Sequence, residues 1–236
     1  MSGLYNLRGM TTMMLMRHAV RTVLLALSCW LWLAAPLVVP AAPVPLVRNV
    51  VVLGDSLAAG YGLDLSEAFP AILQKKAAAS GHHCTVVNAG VSGDTSAGGL
   101  RRIDWLLKRP VDVLVLELGG NDGLRGIPVG VTRTNLQAII DRTKQRYPQA
   151  QIVIAGMQMP PNMGVDYTAA FANIFPELAK ANNAALVPFL LEGVGGRPEM
   201  NLPDLIHPTA AGQRILADNV WKVLEPVLSK LPASKP

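Results

Sequence analysis

The sequence predicts an α/β fold: a three-layer α/β/α domain on a five-stranded parallel sheet. Three observations lead there. From about residue 48 onward, short apolar runs alternate with longer amphipathic or alanine-rich stretches. The apolar runs show little in–out alternation, as expected of strands covered on both faces. Five such runs in about 190 residues amount to one doubly wound domain.

Each element has its own signal. Residues 50–54, VVVLG, read as the first strand, and 67–80 as a helix with Pro70 in its first turn. Residues 84–90, CTVVNAG, are the second strand. A helix over 96–109 ends where Pro110 stops it. Residues 111–120 are a long buried strand. The helix over 131–147 sets Leu136, Ile139 and Ile140 on one face. A fourth strand covers 151–156, and a helix over 167–183 carries Pro176, where a bend is expected. The fifth strand is 184–189 and the last helix 209–230; the tail after it should fray.

The first 41 residues read as an export leader, leaving 42–236 as one domain. Arg17 and Arg21 flank an apolar stretch that leaves through small residues, with Val39 and Ala41 ahead of a cleavage point near Ala42. An uncleaved inner-membrane anchor is the competing reading, because residues 22–39 carry no charge. Pro36, Pro40 and Pro43 favour a signal that ends, and so a periplasmic or secreted product. Any membrane contact is then expected only through an uncleaved leader.

The formal net charge is +5, but Arg8, Arg17 and Arg21 lie in a leader with no acid. Without them 18 basic residues face 16 acidic ones, which argues against a nucleic-acid partner. Cys84 is the single cysteine beyond the leader, so no intrachain disulfide is expected; it opens an apolar run and should be a buried, inert thiol.

In a parallel sheet, ligands bind at the carboxyl ends of the strands. Gly54, Asp55 and Ser56 follow the first strand, and SGDTS at 92–96 follows the second. GGNDG at 119–123 follows the third, MQMPPNMG at 157–164 the fourth, and DLIHP at 204–208 lies past the fifth. A serine nucleophile needs a base, and the base needs a group to orient it. His18 belongs to the leader, and His82 and His83 sit at the amino edge of the second strand. His207 is left at the carboxyl edge, with Asp204 three residues ahead to hold its Nδ1. A tetrahedral oxyanion needs fixed donors, and Ser56 N–H, Gly93 N–H and the Asn121 amide are placed to supply them. Taken singly, each motif is more often a turn or a cap; Asp55 and Asp122 in particular read as loop-holding acids. Their shared edge and order favour chemistry. One histidine without cysteine there calls for no metal or other cofactor.

GDSLAAGYG, NAGVSGDTS, ELGGNDGLRG and DLIHP resemble the four blocks of the SGNH (GDSL) hydrolases, over about residues 48–230. LGDSLAAGY, ELGGNDGLRG and MPPNMG are most similar to the branch of bacterial periplasmic multifunctional thioesterase/protease/lysophospholipases and related arylesterases. The resemblance implies a flavodoxin-like fold, Ser56 as nucleophile, His207 as base, Asp204 as its partner, and an oxyanion hole of Ser56, Gly93 and Asn121. GLRGIP, 123–128, resembles the family's mobile loop over the acyl chain. The implied substrates are small acyl esters, thioesters or lysophospholipids, met by a monomer.

Candidate substrate contacts are Asp55, Leu57, Leu124, Arg125, Met157, Met159 and Pro160, the methionines suiting an adaptable apolar trough. Two alternatives stay open. One is an esterase of acetylated carbohydrate, although aromatics are only 5% of the chain. The other is a non-catalytic lipid- or glycan-binding envelope protein.

Overall fold

The computed structural model describes residues 47–232; the expected leader at 1–41 and the end of the tail lie outside the described residues. Five strands form one sheet in the order β2-β1-β3-β4-β5. They are β1 (Arg48–Gly54), β2 (Cys84–Gly90), β3 (Val113–Glu117), β4 (Gln151–Ala155) and β5 (Ala185–Val187), and every pair is parallel. Seven helices are described: α1 (Ser56–Ala59), α2 (Phe69–Ala79), α3 (Ser96–Leu106), α4 (Gly120–Leu124), α5 (Val129–Arg146), α6 (Val165–Asn182) and α7 (Ala210–Lys230). The chain is a doubly wound α/β domain, as the alternating pattern predicts.

The strand order sets the site. Connections leave β1 and β3 in opposite directions, so a crevice opens between their carboxyl ends. Val50, Val52, Leu53, Val113, Leu114 and Val115 are almost wholly buried on the two central strands, and Phe69, Phe171 and Phe175 pack from the helices. Leu136, Ile139 and Ile140 of α5 face inward together, as their spacing requires.

Several details depart from the expectation. β2 is an edge strand and largely exposed beyond Cys84, not apolar on both faces. β1 starts earlier because Asp112 holds it: its Oδ2 accepts from Asn49 N–H at 2.7 Å and its Oδ1 pairs with Arg48 at 3.2 Å. The expected strand 111–120 is only five residues long, because Gly119 takes φ +117° and turns the chain into α4. The fifth strand stops at Val187, before Pro188, which has no N–H for the ladder. α6 runs through Pro176 without ending, and α7 through Pro226. Burial pushes the Cys84 thiol pKa up, so the thiol stays protonated and unreactive.

Candidate active site

The corner after β1 is built to hold a serine. A Cβ on Gly54 would overlap Glu117 Oε2 and Ala58 Cβ, so only glycine lets α1 fold back so tightly. Asp55 caps α1, its Oδ1 accepting Leu57 N–H at 3.0 Å. Gly60, at φ +73°, ends α1 after one turn. Ser56 therefore opens a one-turn helix at the carboxyl end of the sheet. Gln213 of α7 braces the turn from behind, donating to Leu57 O at 3.0 Å and accepting Phe69 N–H at 2.8 Å.

The imidazole comes from a closed loop ahead of α7. Leu202 N–H donates to His207 O at 2.7 Å, and Thr209 N–H to Met200 O at 2.8 Å, cinching the loop's base. Asp204 Oδ1 accepts the backbone N–H groups of Ile206 and His207, each at 2.9 Å. Its Oδ2 lies 2.7 Å from His207 Nδ1, and His207 Nε2 lies 3.0 Å from Ser56 Oγ. A proton on Nδ1 satisfies the carboxylate and leaves Nε2 free to accept the Ser56 hydroxyl proton. The backbone and ring hydrogen bonds from His207, with that from Ile206, hold the Asp204 carboxyl down at about 2, so it is ionised at neutral pH. Tyr61 lies against the imidazole, ring centroids 4.3 Å apart and planes tilted by 35°.

The donors on the other side are unequal. Among the described residues, the backbone N–H groups of Ser56 and Gly93 meet no protein acceptor. Gly93 holds φ +79°, which turns its peptide in a way a side chain would resist. Arg125 donates to Gly93 O at 3.0 Å. Asn121 donates from Nδ2 to Asp55 Oδ2 at 3.1 Å and to Asp94 O at 2.9 Å. The amide is thus aimed by two acceptors, and an incoming oxyanion must share one of its hydrogens.

Two acids lie beneath the serine. Asp55 spends one oxygen on Leu57 and the other on Asn121, and burial raises its pKa to about 6 against the pull of those bonds and of His207. Glu117, at the end of β3 and 1% exposed, accepts Asp55 N–H on Oε2 at 3.1 Å, while its Oε1 has no hydrogen-bond partner among the described residues. Burial, reinforced by the charge of Asp55, pushes Glu117 well above the carboxylate range. Asp122 is structural, accepting from Ser96 N–H at 2.8 Å, from Ser96 Oγ and from Thr132 Oγ1 at 3.2 Å.

A cleft of about 530 Å³ opens over Ser56 and His207. Asp55, Leu57, Asn121, Leu124, Met157, Met159 and Pro160 line it; Arg125 and Gly93 are not among its lining residues and are joined by their own hydrogen bond. Met159 fills the space that a side chain at Gly123 would occupy. Phe189, Leu191, Leu205 and Ile206 add apolar wall that sequence reasoning missed: Phe189 is expected in the fifth strand but lies past its end at Val187, and the other three sit on connections without periodicity. Tyr61 and Glu117 were missed too. Tyr61 gave no signal; an acid ending the apolar run VLVLE was a legible sign of a buried carboxyl. A larger hollow of about 700 Å³ lies at the amino edge of the sheet, where Arg48 and Asp112 pair with each other. It is remote from Ser56. Among the described residues, no group of three or more His, Cys, Asp or Glu is arranged to hold a metal ion.

Residues 52–215 match the model of the GDSL-like lipase/acylhydrolase family. Esterase TesA of Pseudomonas aeruginosa is 46% identical over 182 residues, 77% of this chain and 90% of that protein. Thioesterase 1/protease 1/lysophospholipase L1 of Escherichia coli is 41% identical over 183 residues, 77% and 85% of the two chains. The crystal structure of psychrotrophic esterase EstA from Pseudoalteromonas sp., inhibited by monoethylphosphonate, superposes with a TM-score of 0.72 at 33% identity. It covers 78% of this chain and all (100%) of the other.

Proposed function

The chain belongs to the GDSL-like lipase/acylhydrolase family and is a serine acyl hydrolase; from that premise we propose that Ser56 is its nucleophile, His207 its general base and Asp204 the group that orients the base. The observation that carries this is the unbroken chain Ser56 Oγ–His207 Nε2 at 3.0 Å and His207 Nδ1–Asp204 Oδ2 at 2.7 Å, at the floor of an open cleft.

The steps follow from those contacts. His207 Nε2 takes the hydroxyl proton as Ser56 Oγ attacks the acyl carbonyl, and Asp204 stabilises the imidazolium. The carbonyl oxygen becomes an oxyanion held by the free N–H groups of Ser56 and Gly93 and by one amide hydrogen of Asn121. His207 returns the proton to the departing alcohol or thiol, leaving an acyl-serine. Water, deprotonated by the same nitrogen, attacks the acyl-serine; the acid leaves and Ser56 regains its proton. Asp55 and Glu117 touch no reacting atom and act by positioning the nucleophile turn and the Asn121 amide.

The cleft favours an acyl chain over a sugar, because Leu57, Met157, Met159 and Phe189 offer apolar surface beside the nucleophile. Carboxylic esters and thioesters of medium chains are the proposed substrates, with lysophospholipid sharing the same acyl end. The names of the relatives, an esterase and a thioesterase/lysophospholipase, support that range. The leader at 1–41 sends the domain to the periplasm or beyond; no described helix is long and apolar enough to cross a membrane.

The test is hydrolysis of p-nitrophenyl esters from acetate to dodecanoate, with matching acyl thioesters. The proposal expects turnover that rises beyond acetate and vanishes in Ser56→Ala. A maximum at acetate would remove the acyl cleft; full turnover by Ser56→Ala would remove the mechanism.

A further inference from the structure

The loop that delivers His207 contains an oddity the mechanism does not use. Leu205 holds φ +59°, a left-handed conformation that a branched side chain rarely accepts. Asn183, the other described non-glycine residue with positive φ, is ordinary by comparison: it ends α6, and asparagine tolerates that region. Nothing around Leu205 compensates by burial. The residue is 59% exposed, so burial in the core does not explain why leucine stands there.

The backbone explains why the position must be left-handed. Leu205 N–H closes a turn onto Leu202 O at 2.8 Å. The chain then curls so that the N–H groups of Ile206 and His207 both reach Asp204 Oδ1. That curl frees Oδ2 for the imidazole. A glycine would make the same curl with less strain. The difference between glycine and leucine is the isobutyl group, on a residue that lines the cleft together with Ser56, Met157 and Phe189.

We propose that Leu205 is a specificity-determining residue, a strained outer wall that covers the distal part of a medium-length acyl chain whose carbonyl sits at Ser56. The inference rests on the acyl-hydrolase reading of the cleft and deepens it. The leucine serves the substrate: in the free protein its surface stays wet, and an octanoyl or decanoyl chain lying across it removes apolar area from water on both partners. An acetyl group carries a single methyl and so has little apolar area to bury there.

The experiment compares Leu205→Ala and Leu205→Gly with the parent enzyme. The readouts are kcat/KM on p-nitrophenyl decanoate divided by kcat/KM on p-nitrophenyl acetate, and the thermal midpoint. Both variants lose the wall, so the decanoate-to-acetate ratio falls about tenfold in each. Alanine keeps the left-handed strain and glycine relieves it, so the glycine variant melts about 2–4 °C above the alanine variant. An unchanged ratio in Leu205→Ala overturns the specificity role. A glycine variant that melts at or below the alanine variant overturns the strained placement. A parent enzyme that hydrolyses neither ester overturns the acyl-hydrolase reading and this inference with it, and that result is distinct because the parent itself is silent.

Discussion

Replacing Asp55 by asparagine separates what the acid does for stability from what it does for chemistry. Burial raises the Asp55 pKa from 3.8 to about 6. The folded protein therefore holds a proton that the unfolded chain releases from about pH 3.8 upward. The contribution is intact below that value, shrinks as pH climbs toward about 6, and is fully lost above it. Two pH units at about 1.4 kcal/mol each make the loss about 3 kcal/mol. Asparagine cannot ionise. Its advantage over aspartate should thus grow by about 3 kcal/mol between about pH 3 and pH 7, or about 6–12 °C in thermal midpoint. Glu117 remains in both proteins, but asparagine removes the Asp55 charge that helps hold the Glu117 pKa up, so the curves report the coupled pair, and both changes favour the asparagine variant as pH rises. Activity should move the other way. In Asp55→Asn the new side chain can still accept Leu57 N–H through its oxygen, but its amino group then meets Asn121 Nδ2, where the parent has a hydrogen bond of 3.1 Å. With Asn121 no longer aimed, kcat should fall about 10- to 100-fold. Urea unfolding across the pH range and kcat on p-nitrophenyl butyrate measure both sides. Parallel stability curves for the two proteins would refute the raised pKa, and full activity would refute the positioning role.

Three further outcomes test the site from other directions. Gly93→Ala has room for its Cβ, 3.8 Å from Arg125 Nη2, so the cost is conformational at φ +79°; kcat should drop about 10- to 100-fold with KM little changed. Gly54→Ala forces a Cβ into Glu117 Oε2 and Ala58 Cβ and should destabilise the fold by about 3 kcal/mol, read by urea unfolding. Tyr61→Ala uncovers the imidazole and should lower kcat about three- to tenfold, while Tyr61→Phe, which keeps the ring face against His207, should restore it; a phenylalanine variant as slow as the alanine one would assign the effect to the hydroxyl instead.

The fold was legible because burial on both sheet faces leaves a plain mark: VVVLG and VDVLVLELGG can be little else than central strands. Boundaries were less legible. Nothing local shows that Gly119 would turn the chain into α4, since glycine permits a left-handed residue without demanding one. The edge position of β2 was hidden as well, because CTVV is apolar enough for a central strand and only the pairing order leaves it exposed. Of the site, Ser56, Asp204 and His207 could be placed because they follow strand ends on one rim, and the structure brings them together. Tyr61, Leu205 and Phe189 could not be placed. Their roles depend on how loops close over one another, and loops carry no periodicity from which a facing direction can be read. Gln213, near the start of α7, reaches inward to two backbone groups that belong to other elements, a partnership that composition does not encode.

The most direct measurement of the central claim is covalent capture of the nucleophile. A fluorophosphonate probe should add once to the parent enzyme, at Ser56 by peptide mass mapping, and not at all to Ser56→Ala. His207→Ala should slow that labelling by about a thousandfold or more, because the hydroxyl loses the base that lies 3.0 Å from it. Labelling at another residue, or labelling that survives unchanged without the imidazole, would contradict the account.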